Sequence, residues 1–395
     1  MSKQRRTQLL HSGRPMAGTR PVNLPLMRAS TIVFPTVADW RATREARKTR
    51  QVLSYGARGT ETTFALENAL TELEGGHRTR LYPTGLAASA CVLLACLRPG
   101  DHLLITDSVY QPVRALCADL LEPMGVVCEF YAADGSDIEA RFRPETRLVY
   151  AEVPGSTFNE MIDFPWLAGL THRHGALLAV DNTWASGWLF NPLAHGADIS
   201  VLAITKYIAG HSDVMMGAAV CNAKAFSQVG TVAESLGMTT SPDDAALVLR
   251  GLRTLDVRLA EHARSALAVA QWLAARPEVA RVFHPALPGD PGHALWQRDF
   301  SGSNGLLTLE LHETDGARRD AFVDALALFS IGASWGGFES LALPVDPAGT
   351  RTVQPAPATG RCVRLHVGLE ATDDLIADLA NAFDGTRLAG HRDQG

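Results

Sequence analysis

The stretch ALLAVDNTW, residues 176–184, carries a strong structural signal in the middle of the chain. Its apolar part, residues 176–180, predicts a strand, and the polar residues Asp181 and Asn182 follow directly. Continuous apolar residues are typical of a strand that is covered on both faces within a parallel sheet. In open sheets of this kind, ligands bind outside the carboxyl ends of the strands. The stretch therefore predicts an α/β sheet with a ligand site beside Asp181.

Similar short apolar runs lie on both sides of this stretch and alternate with helical segments. The predicted strands are residues 102–106, 126–131, 147–152, 176–180 and 199–204. The predicted helices are residues 62–73, 86–97, 112–121 and 165–174. This alternation favours an α/β fold, with a mainly parallel sheet that carries helices on both faces.

A chain of 395 residues, 46% of them hydrophobic, exceeds the usual size of a single core, so we expect two domains. Residues 1–60 lack helical periodicity before Val37 and predict an extended N-terminal arm that contacts a partner subunit. Residues 61–252 form the predicted main domain. Residues 253–395 form a smaller α+β domain, entered through one long helix over 243–275. Its predicted strands are residues 306–311 and 362–367, and its predicted helices are residues 318–328 and 373–383.

Composition argues for small-molecule chemistry. A net charge of -6 gives no basic field for nucleic acid or an anionic membrane, and no apolar run approaches the ~20 residues of a membrane-spanning helix. The six cysteines show neither CxxC pairs nor metal-ligand spacing, so we expect reduced thiols and no metal site. The basic start lacks the apolar segment of a signal peptide, which predicts a cytoplasmic protein.

Three separate segments place polar groups where this sheet would bind a ligand. They are Asp181 after its strand, Lys206 in AITKY (203–207), and the turn YPTGLAA (82–88), which opens a helix with free N–H groups. Each has a simpler explanation, as a helix cap, a surface pair or a close helix contact. Together they match the needs of pyridoxal 5′-phosphate (PLP): a lysine for the Schiff base, a carboxylate for the ring nitrogen and a phosphate cradle.

Short motifs spread over almost the whole chain strengthen this interpretation. They are PVNLP (21–25), AST (29–31), YG (55–56), LEGG (73–76), DNTW (181–184), TKY (205–207), GHSD (210–213), SWGG (334–337) and RLHVGLE (364–370). In this order they resemble the Cys/Met-metabolism family of fold-type I PLP enzymes, and DNTW and SWGG point to its cystathionine β-lyase branch. The resemblance implies a mainly parallel seven-stranded sheet with helices on both faces, plus a smaller C-terminal α+β domain.

The resemblance also implies roles at the cofactor. Lys206 would form the Schiff base and later move protons between Cα and the leaving group. Asp181 would keep the pyridine nitrogen protonated, so that the ring can accept the electrons of a carbanion. Tyr110 would stack on the ring, and its hydroxyl is a candidate proton carrier.

The resemblance assigns the phosphate to several groups. The backbone N–H groups of Gly85 and Leu86 and the hydroxyl of Thr205 would bind it within one chain. Tyr55 would reach it from the neighbouring subunit. We therefore expect a homodimer, or a homotetramer built from dimers, with shared active sites.

The substrate end is assigned in the same way. Arg364 would bind the substrate α-carboxylate through its planar guanidinium group. Ser334 and Trp335 would line the same end of the pocket. The simpler alternative for Arg364 is a surface ion pair at a strand end.

The sequence departs from the family pattern at several positions. YGARGT (55–60) has Ala57 in place of the phosphate-binding arginine of YGRRGT, which predicts weaker cofactor binding. Two roles are open for Arg58: it compensates at the phosphate, or it serves the distal end of the substrate. Ala333, Ala115 and Ser235 replace larger or charged residues near the expected distal end of cystathionine. Fewer contacts there predict lower discrimination for that substrate.

The reaction expected from these residues is α,β-elimination on cystathionine or a related cysteine conjugate, giving a thiol, pyruvate and ammonia. An alternative is γ-elimination or γ-replacement on a homoserine-type substrate such as methionine or canavanine. A non-catalytic binding protein on the same scaffold is a third. The joint presence of Lys206, Asp181, Tyr110 and Arg364 argues against that last alternative.

Overall fold

The computed structural model describes residues 4–14, 19, 21–313, 315–349, 351–358 and 360–392, with side chains up to residue 386. The larger of its two sheets has seven strands in the order β1-β7-β6-β5-β4-β2-β3. They are β1 (Arg78–Tyr82), β2 (His102–Thr106), β3 (Val127–Tyr131), β4 (Thr146–Glu152), β5 (Leu177–Asp181), β6 (Ile199–Leu202) and β7 (Gly217–Cys221). Only β7 runs antiparallel to its neighbours in this sheet, which confirms the mainly parallel seven-stranded sheet.

Helices cover both faces of this sheet. They are α3 (Glu61–Glu74), α4 (Gly85–Cys96), α5 (Gln111–Leu116), α6 (Phe164–Arg173), α7 (Ala223–Ser235) and α8 (Pro242–Leu252). Leu178 and Val180 of β5 belong to the core cluster that includes α3, α6 and α8, whereas Ala179 belongs to the cluster that includes α4, α5 and α7. Successive side chains of a strand point to opposite faces, so the apolar run of β5 fills both cores.

Strands β1 and β7 were not predicted. In β1 the arginines Arg78 and Arg80 interrupt the apolar pattern, and both stack over the Phe226 ring of α7. Strand β7, with the sequence GAAVC, consists of small residues of low strand propensity and packs directly under α4. Neither strand therefore carries a strong signal in its own sequence.

The N-terminal arm is not extended throughout, so the expectation of no helix before Val37 is wrong. Helix α1 (Arg5–His11) precedes α2 (Val37–Ala46), and its Leu9 is buried. Arg253 donates from Nη1 to the carbonyl oxygens of Leu9 (3.0 Å) and Ser12 (2.6 Å). A tertiary contact thus holds a short helix that would be marginal alone.

The predicted helices over 112–121 and 243–275 also differ in detail. Helix α5 ends at Leu116 and a single π-helical segment, Cys117–Leu121, continues it. The long helix is two helices, α8 and α9 (Leu255–Ala274), which separate at Arg253 and Thr254. The separation places Arg253 against α1, a contact that periodicity cannot reveal.

The smaller sheet lies in the C-terminal part, as predicted. It orders β8 (Val279–Phe283), β9 (Leu306–Leu311), β10 (Ser330–Ile331), β11 (Leu341–Val345) and β12 (Arg361–His366) as β10-β11-β12-β9-β8. The remaining helices are α10 (His293–Asp299), α11 (Gly316–Asp324) and α12 (Thr372–Arg392), and a core cluster joins α9, α11 and α12 to the sheet. The boundaries 1–60, 61–252 and 253–395 stay predictions. Within the described ranges, no helix is both long and apolar enough to cross a membrane.

Candidate active site

A cavity of about 320 Å³ opens at the carboxyl ends of β4, β5 and β6, beside the N-terminus of α4. The loop before β11 and strand β12 close it from the smaller sheet. Eight predicted site residues line it: Gly85, Leu86, Tyr110, Asp181, Thr205, Lys206, Trp335 and Arg364. Residues from distant parts of the sequence therefore meet at one place.

Lys206 reaches into this cavity from the turn that follows β6. Its Nζ donates to Ser334 Oγ (2.8 Å) and lies 5.2 Å from the centre of the Trp335 ring. Burial and, to a smaller extent, the positive charge of Arg364 lower the pKa of the Lys206 amine to about 8, while Asp181 opposes this shift. About a tenth of the amine is therefore neutral and nucleophilic at pH 7, far more than for a lysine of ordinary pKa.

Gly336 explains how Ser334 and Trp335 come so close to Lys206. Its φ is +91°, and a Cβ there would lie 2.8 Å from Tyr207 N and 2.9 Å from Lys206 Cα. Only glycine fits this left-handed turn pressed against the lysine backbone. The SWGG motif is thus explained by close packing on the Lys206 turn.

Asp181 ends β5 and accepts a hydrogen bond from Thr183 N (3.0 Å). It lies opposite Glu152 in the parallel register of β4 and β5. Burial raises the pKa of Asp181, and hydrogen bonds from Thr183 and the charge of Lys206 oppose this. Asp181 lines the cavity, so its carboxylate is placed to pair with a protonated ring nitrogen of a ligand there, and this role stays a prediction.

Glu152 was missed by the sequence reasoning, although it also ends a predicted strand with an acidic residue. Its Oε2 accepts a hydrogen bond from Tyr110 N (2.6 Å). Burial raises the pKa of Glu152 well above its ordinary value, and the nearby Asp181 charge adds to this. Burial and the Asp181 charge therefore both favour the neutral form of Glu152.

Tyr110 stands at the start of α5 and leaves 48% of its surface exposed on the cavity side. Burial raises the pKa of its hydroxyl, and Glu152 and Asp181 add to this while Arg364 opposes it. The phenol thus keeps its proton at neutral pH. Its ring remains available for stacking on an aromatic ligand.

The N-terminus of α4 supplies the anion site. The Thr84 side chain caps the helix by accepting from Ala87 N (3.0 Å), and the amides of Gly85 and Leu86 come before Ala88 N, the first amide that donates within the helix. A Cβ at residue 85 would lie 2.6 Å from Ala203 Cβ, so glycine lets the helix end approach the turn before Lys206. Free N–H groups at a helix N-terminus bind phosphate well.

Thr205 fits the predicted phosphate role less simply. Its Oγ1 donates to Met216 O (3.2 Å) and accepts from Met216 N (2.9 Å). The hydroxyl lies in the cavity wall but must give up its Met216 acceptor to donate to a phosphate. The amine, the carboxylate and the helix N-terminus together nevertheless fit PLP.

Arg364, on β12, lies at the opposite end of the cavity from α4. Its Nη2 donates to Ala333 O (2.9 Å) and Ser334 O (3.3 Å), and it makes no ion pair within the described residues. Burial lowers its pKa, but a guanidinium stays charged. The surface ion pair considered for Arg364 is therefore not observed, and its other N–H groups suit a substrate carboxylate.

Tyr55 and Arg58 do not reach the cavity of their own chain. Tyr55 is 52% exposed, and Arg58 forms an ion pair with Glu234 of α7, which also pairs with Arg80 at 2.9 Å. Ala57 lies beside Arg58 in this separate region. Their predicted contact with the cofactor of a neighbouring subunit stays a prediction.

A further wall of the cavity is the segment from Pro154 to Asn159, which the sequence reasoning also missed. Thr157 and Asn159 have φ of 76° and 55°, the left-handed region that few non-glycine residues adopt. Arg351 supports the segment by donating to Ser156 O (3.1 Å) and pairing with Glu160 (2.5 Å). The Pro-Gly sequence at 154–155 indicated a turn and nothing about a site.

Known proteins resemble the chain over nearly its full length. The cystathionine beta-lyase of Bordetella avium is 47% identical over 385 residues, covering 96% of this chain and 97% of that protein. The cystathionine beta-lyase of Escherichia coli strain K12 is 43% identical and covers 95% and 97%. The cystathionine gamma synthase structure from Xanthomonas oryzae pv. oryzae, in complex with aminoacrylate and cysteine, matches with a TM-score of 0.89 at 32% identity, covering 98% and 100%.

These likenesses agree with the cavity, which joins an amine, a carboxylate and a helix N-terminus in the arrangement that PLP requires. The family model described as Cys/Met metabolism PLP-dependent enzyme matches residues 6–384. The expected fold and cofactor are confirmed, and the chain belongs to this family of PLP-dependent enzymes.

Proposed function

We propose that the protein is a PLP-dependent carbon–sulfur lyase that performs α,β-elimination on cystathionine or a related cysteine conjugate. The observation that carries the proposal is the 2.8 Å contact of Lys206 Nζ with Ser334 Oγ, in the cavity that also contains Asp181 and Arg364. The relatives named cystathionine beta-lyase at 43% and 47% identity support this choice.

When bound, PLP supplies an electron sink that stabilises negative charge at the substrate Cα. Lys206 moves the proton. Its desolvated amine, with a pKa of about 8, accepts the proton from Cα and delivers it toward the departing sulfur. Ser334 accepts the amine's hydrogen bond and so orients Nζ between those two positions.

Arg364 and Tyr110 hold the substrate side of the cavity. Arg364 binds the α-carboxylate through the N–H groups that the loop carbonyls leave free. Tyr110 would hold the cofactor by stacking its ring on it, and Glu152 fixes Tyr110 by accepting a hydrogen bond from its backbone N–H. The substrate Cα–H bond is thereby set beside the Lys206 amine.

The overall reaction balances without an oxidant or reductant. The Cα–H and Cβ–S bonds break, sulfur leaves with the electron pair of its bond and takes up a proton, and water hydrolyses the remaining enamine. Cystathionine and water would give homocysteine, pyruvate and ammonia.

The test incubates the PLP-loaded protein with cystathionine and measures pyruvate and free thiol together. Equal amounts of both are expected, and Lys206→Ala should give neither. Lys224→Ala is the matched control, because Lys224 is an exposed lysine on α7. A fully loaded protein that produces no pyruvate from cystathionine or cystine would contradict the proposal.

A second candidate is γ-elimination or γ-replacement. It is favoured by the likeness to the Xanthomonas cystathionine gamma synthase and by the small Ala333 in the cavity wall. The same incubation separates the two reactions, because γ-elimination gives a four-carbon keto acid in place of pyruvate. Methionine and canavanine would be included as substrates.

We also propose that two copies share each active site, as a homodimer or a homotetramer of dimers. Tyr55 and Arg58 lie outside their own cavity, which supports completion by a second chain. Mixing unfolded Lys206→Ala and Tyr55→Ala chains before refolding should restore activity that neither variant has alone. Sedimentation would confirm that mixed oligomers have formed. If these oligomers remain inactive, a shared site is contradicted.

A further inference from the structure

Glu74 is a fully buried carboxyl group that lies close to the cavity without lining it. It is the last residue of α3 and has no exposed surface. Its Oε1 accepts a hydrogen bond from Asn182 Nδ2 (2.9 Å), and Asn182 directly follows Asp181. The carboxyl group thus contacts the residue next to the proposed partner of the ring nitrogen.

Asn182 links this contact to the end of β5. Its backbone N donates to Val201 O of the β6 region (2.9 Å), and its Nδ2 also donates to Phe190 O (3.1 Å). Both amide hydrogens of the side chain are therefore used. Loss of the Glu74 acceptor would free Asn182 to turn, and the position of Asp181 would loosen with it.

Three buried polar atoms around this contact have no hydrogen-bond partner within the described part of the chain: Glu74 Oε2, Asn182 Oδ1 and Ser200 Oγ. The Ser200 hydroxyl adjoins the carboxyl without reaching hydrogen-bonding geometry. The Ser200 hydroxyl can donate to a carboxylate or accept from a protonated carboxyl, whereas Asn182 Oδ1 can only accept. Of these groups, Asn182 Oδ1 therefore favours the acid form of Glu74, and Ser200 suits either form.

The helix dipole at Glu74 also favours the acid form, and the nearby cation Arg5 opposes it. The carboxyl group lies at the C-terminal end of α3, where the helix dipole disfavours negative charge. From β5 and β6 it meets only the neutral Asn182 and Ser200. Within the described residues, the cation acting on it is Arg5 of α1, which donates to Trp188 O (2.7 Å) and Gly187 O.

We propose that Glu74, in its protonated form, is a positioning residue that holds Asn182 and through it Asp181, and that Arg5 sets how readily Glu74 loses this proton. The inference rests on the proposed role of Asp181 at the cofactor. These contacts would connect Arg5 of the N-terminal arm to Asp181 in the cavity. Burial raises the pKa of Glu74 to about 7, and Asn182, Ser200 and Arg5 oppose this, so the proton would be exchanged near neutral pH.

The test compares Glu74→Gln, which keeps an acceptor oxygen and stays neutral, with Glu74→Ala and the matched control Glu72→Gln. Glu72 lies in the same last helical turn but is exposed. The first readout is the affinity of the apoprotein for pyridoxal 5′-phosphate, measured by absorbance titration from pH 5 to 9. Glu74→Ala should bind ~10-fold more weakly, which corresponds to about 1.4 kcal/mol, because the buried Asn182 donor loses its acceptor. Glu74→Gln should restore the affinity.

The second readout is the pH dependence of apoprotein unfolding, which does not involve the cofactor. The native pKa of about 7 lies above the ordinary value of 4.5, so the native state binds more protons than the unfolded state between these values. Wild-type stability should fall as pH rises through this window. Glu74→Gln should lose this fall in stability with pH, and Glu72→Gln should keep it. Arg5→Ala should extend the fall to higher pH, because loss of the cation raises the pKa of Glu74.

Two results would overturn the inference: Glu74→Gln unfolding with the wild-type pH profile, or Glu74→Ala binding the cofactor as tightly as wild type. None of these measurements uses turnover. If the protein does not cleave cystathionine but shows the Glu74 effects, the proposed substrate is contradicted and the positioning role of Glu74 is still supported.

Discussion

The cavity around Lys206 and the segment around Tyr55 and Arg58 differ in where their polar groups find partners. At the cavity, amine, carboxyl and guanidinium groups face one another partly out of water, and their pKa values shift. At the second segment, Tyr55 is half exposed, and Arg58 pairs with Glu234 at the surface. The topology of a parallel sheet assembles the first region within one chain, whereas the second lies apart from the cavity of its own chain and would meet a cofactor only in the proposed shared site.

The largest expected effect comes from removing the amine at the centre of the first region. Lys206→Ala should lower kcat by ~10³-fold or more, because both nucleophile and proton carrier are lost. PLP bound to this variant should also lack the absorbance band of the Schiff base with Lys206, which borohydride reduction removes in the wild type. Steady-state kinetics and spectra check this, and Lys224→Ala should match wild type in both.

Arg364→Ala should have the next largest effect, raising KM for the amino-acid substrate by about 10–100-fold through loss of charged hydrogen bonds worth ~1.5–3 kcal/mol. Arg364→Lys should recover part of this, because lysine restores the charge without the planar fork. Arg361→Ala, on the same strand but facing Asp346, is the control. An unchanged KM in Arg364→Ala would place the carboxylate elsewhere.

The pH dependence of cofactor capture tests the electrostatics of the first region. Only the neutral amine reacts with an aldehyde, and the Lys206 pKa is lowered to about 8. The capture rate by apoprotein should therefore rise about tenfold per pH unit below 8 and level off above it. In Arg364→Ala the pKa of Lys206 should be higher, because a neighbouring positive charge is gone. The capture rate should therefore rise at higher pH in this variant. Stopped-flow absorbance measures this rate, and a pH-independent rate would contradict it.

The second region should show smaller effects. Arg58→Ala should weaken cofactor binding by up to about tenfold if Arg58 compensates in the partner site for the missing arginine at Ala57. Glu234→Gln breaks the same ion pair but keeps the arginine, so it should bind PLP normally. Equal losses in both variants would show that the ion pair, and not the cofactor contact, matters.

The smallest expected effect concerns stability. The Arg58–Glu234 ion pair is partly exposed, so breaking it should change the free energy of unfolding by less than ~1 kcal/mol. Urea unfolding of Glu234→Gln measures this. A larger loss would indicate that Arg80, which shares Glu234, depends on the pair as well.

The predicted strands and helices of the main domain were recovered because their signals are local. The run ending at Asp181 is apolar on both faces, and the observed strand buries both. Strand β7 was not predicted because its small residues carry little strand signal. Helix α1 was not predicted because it is stabilised by Arg253, which lies more than 240 residues away in the sequence. Glu152 had the same signal as Asp181, an acid ending an apolar strand.

By itself, the sequence determined which residues are candidates for the chemistry, because Lys206, Asp181 and the Gly85 turn each have a local signature. Only the tertiary structure decided that Ser334 receives the lysine hydrogen bond, that Glu152 holds Tyr110, and that Glu74 is buried beneath Asn182. Local patterns record whether a residue suits a strand end or a turn. Desolvation and hydrogen-bond partners come from distant segments, and these set the protonation state of each group.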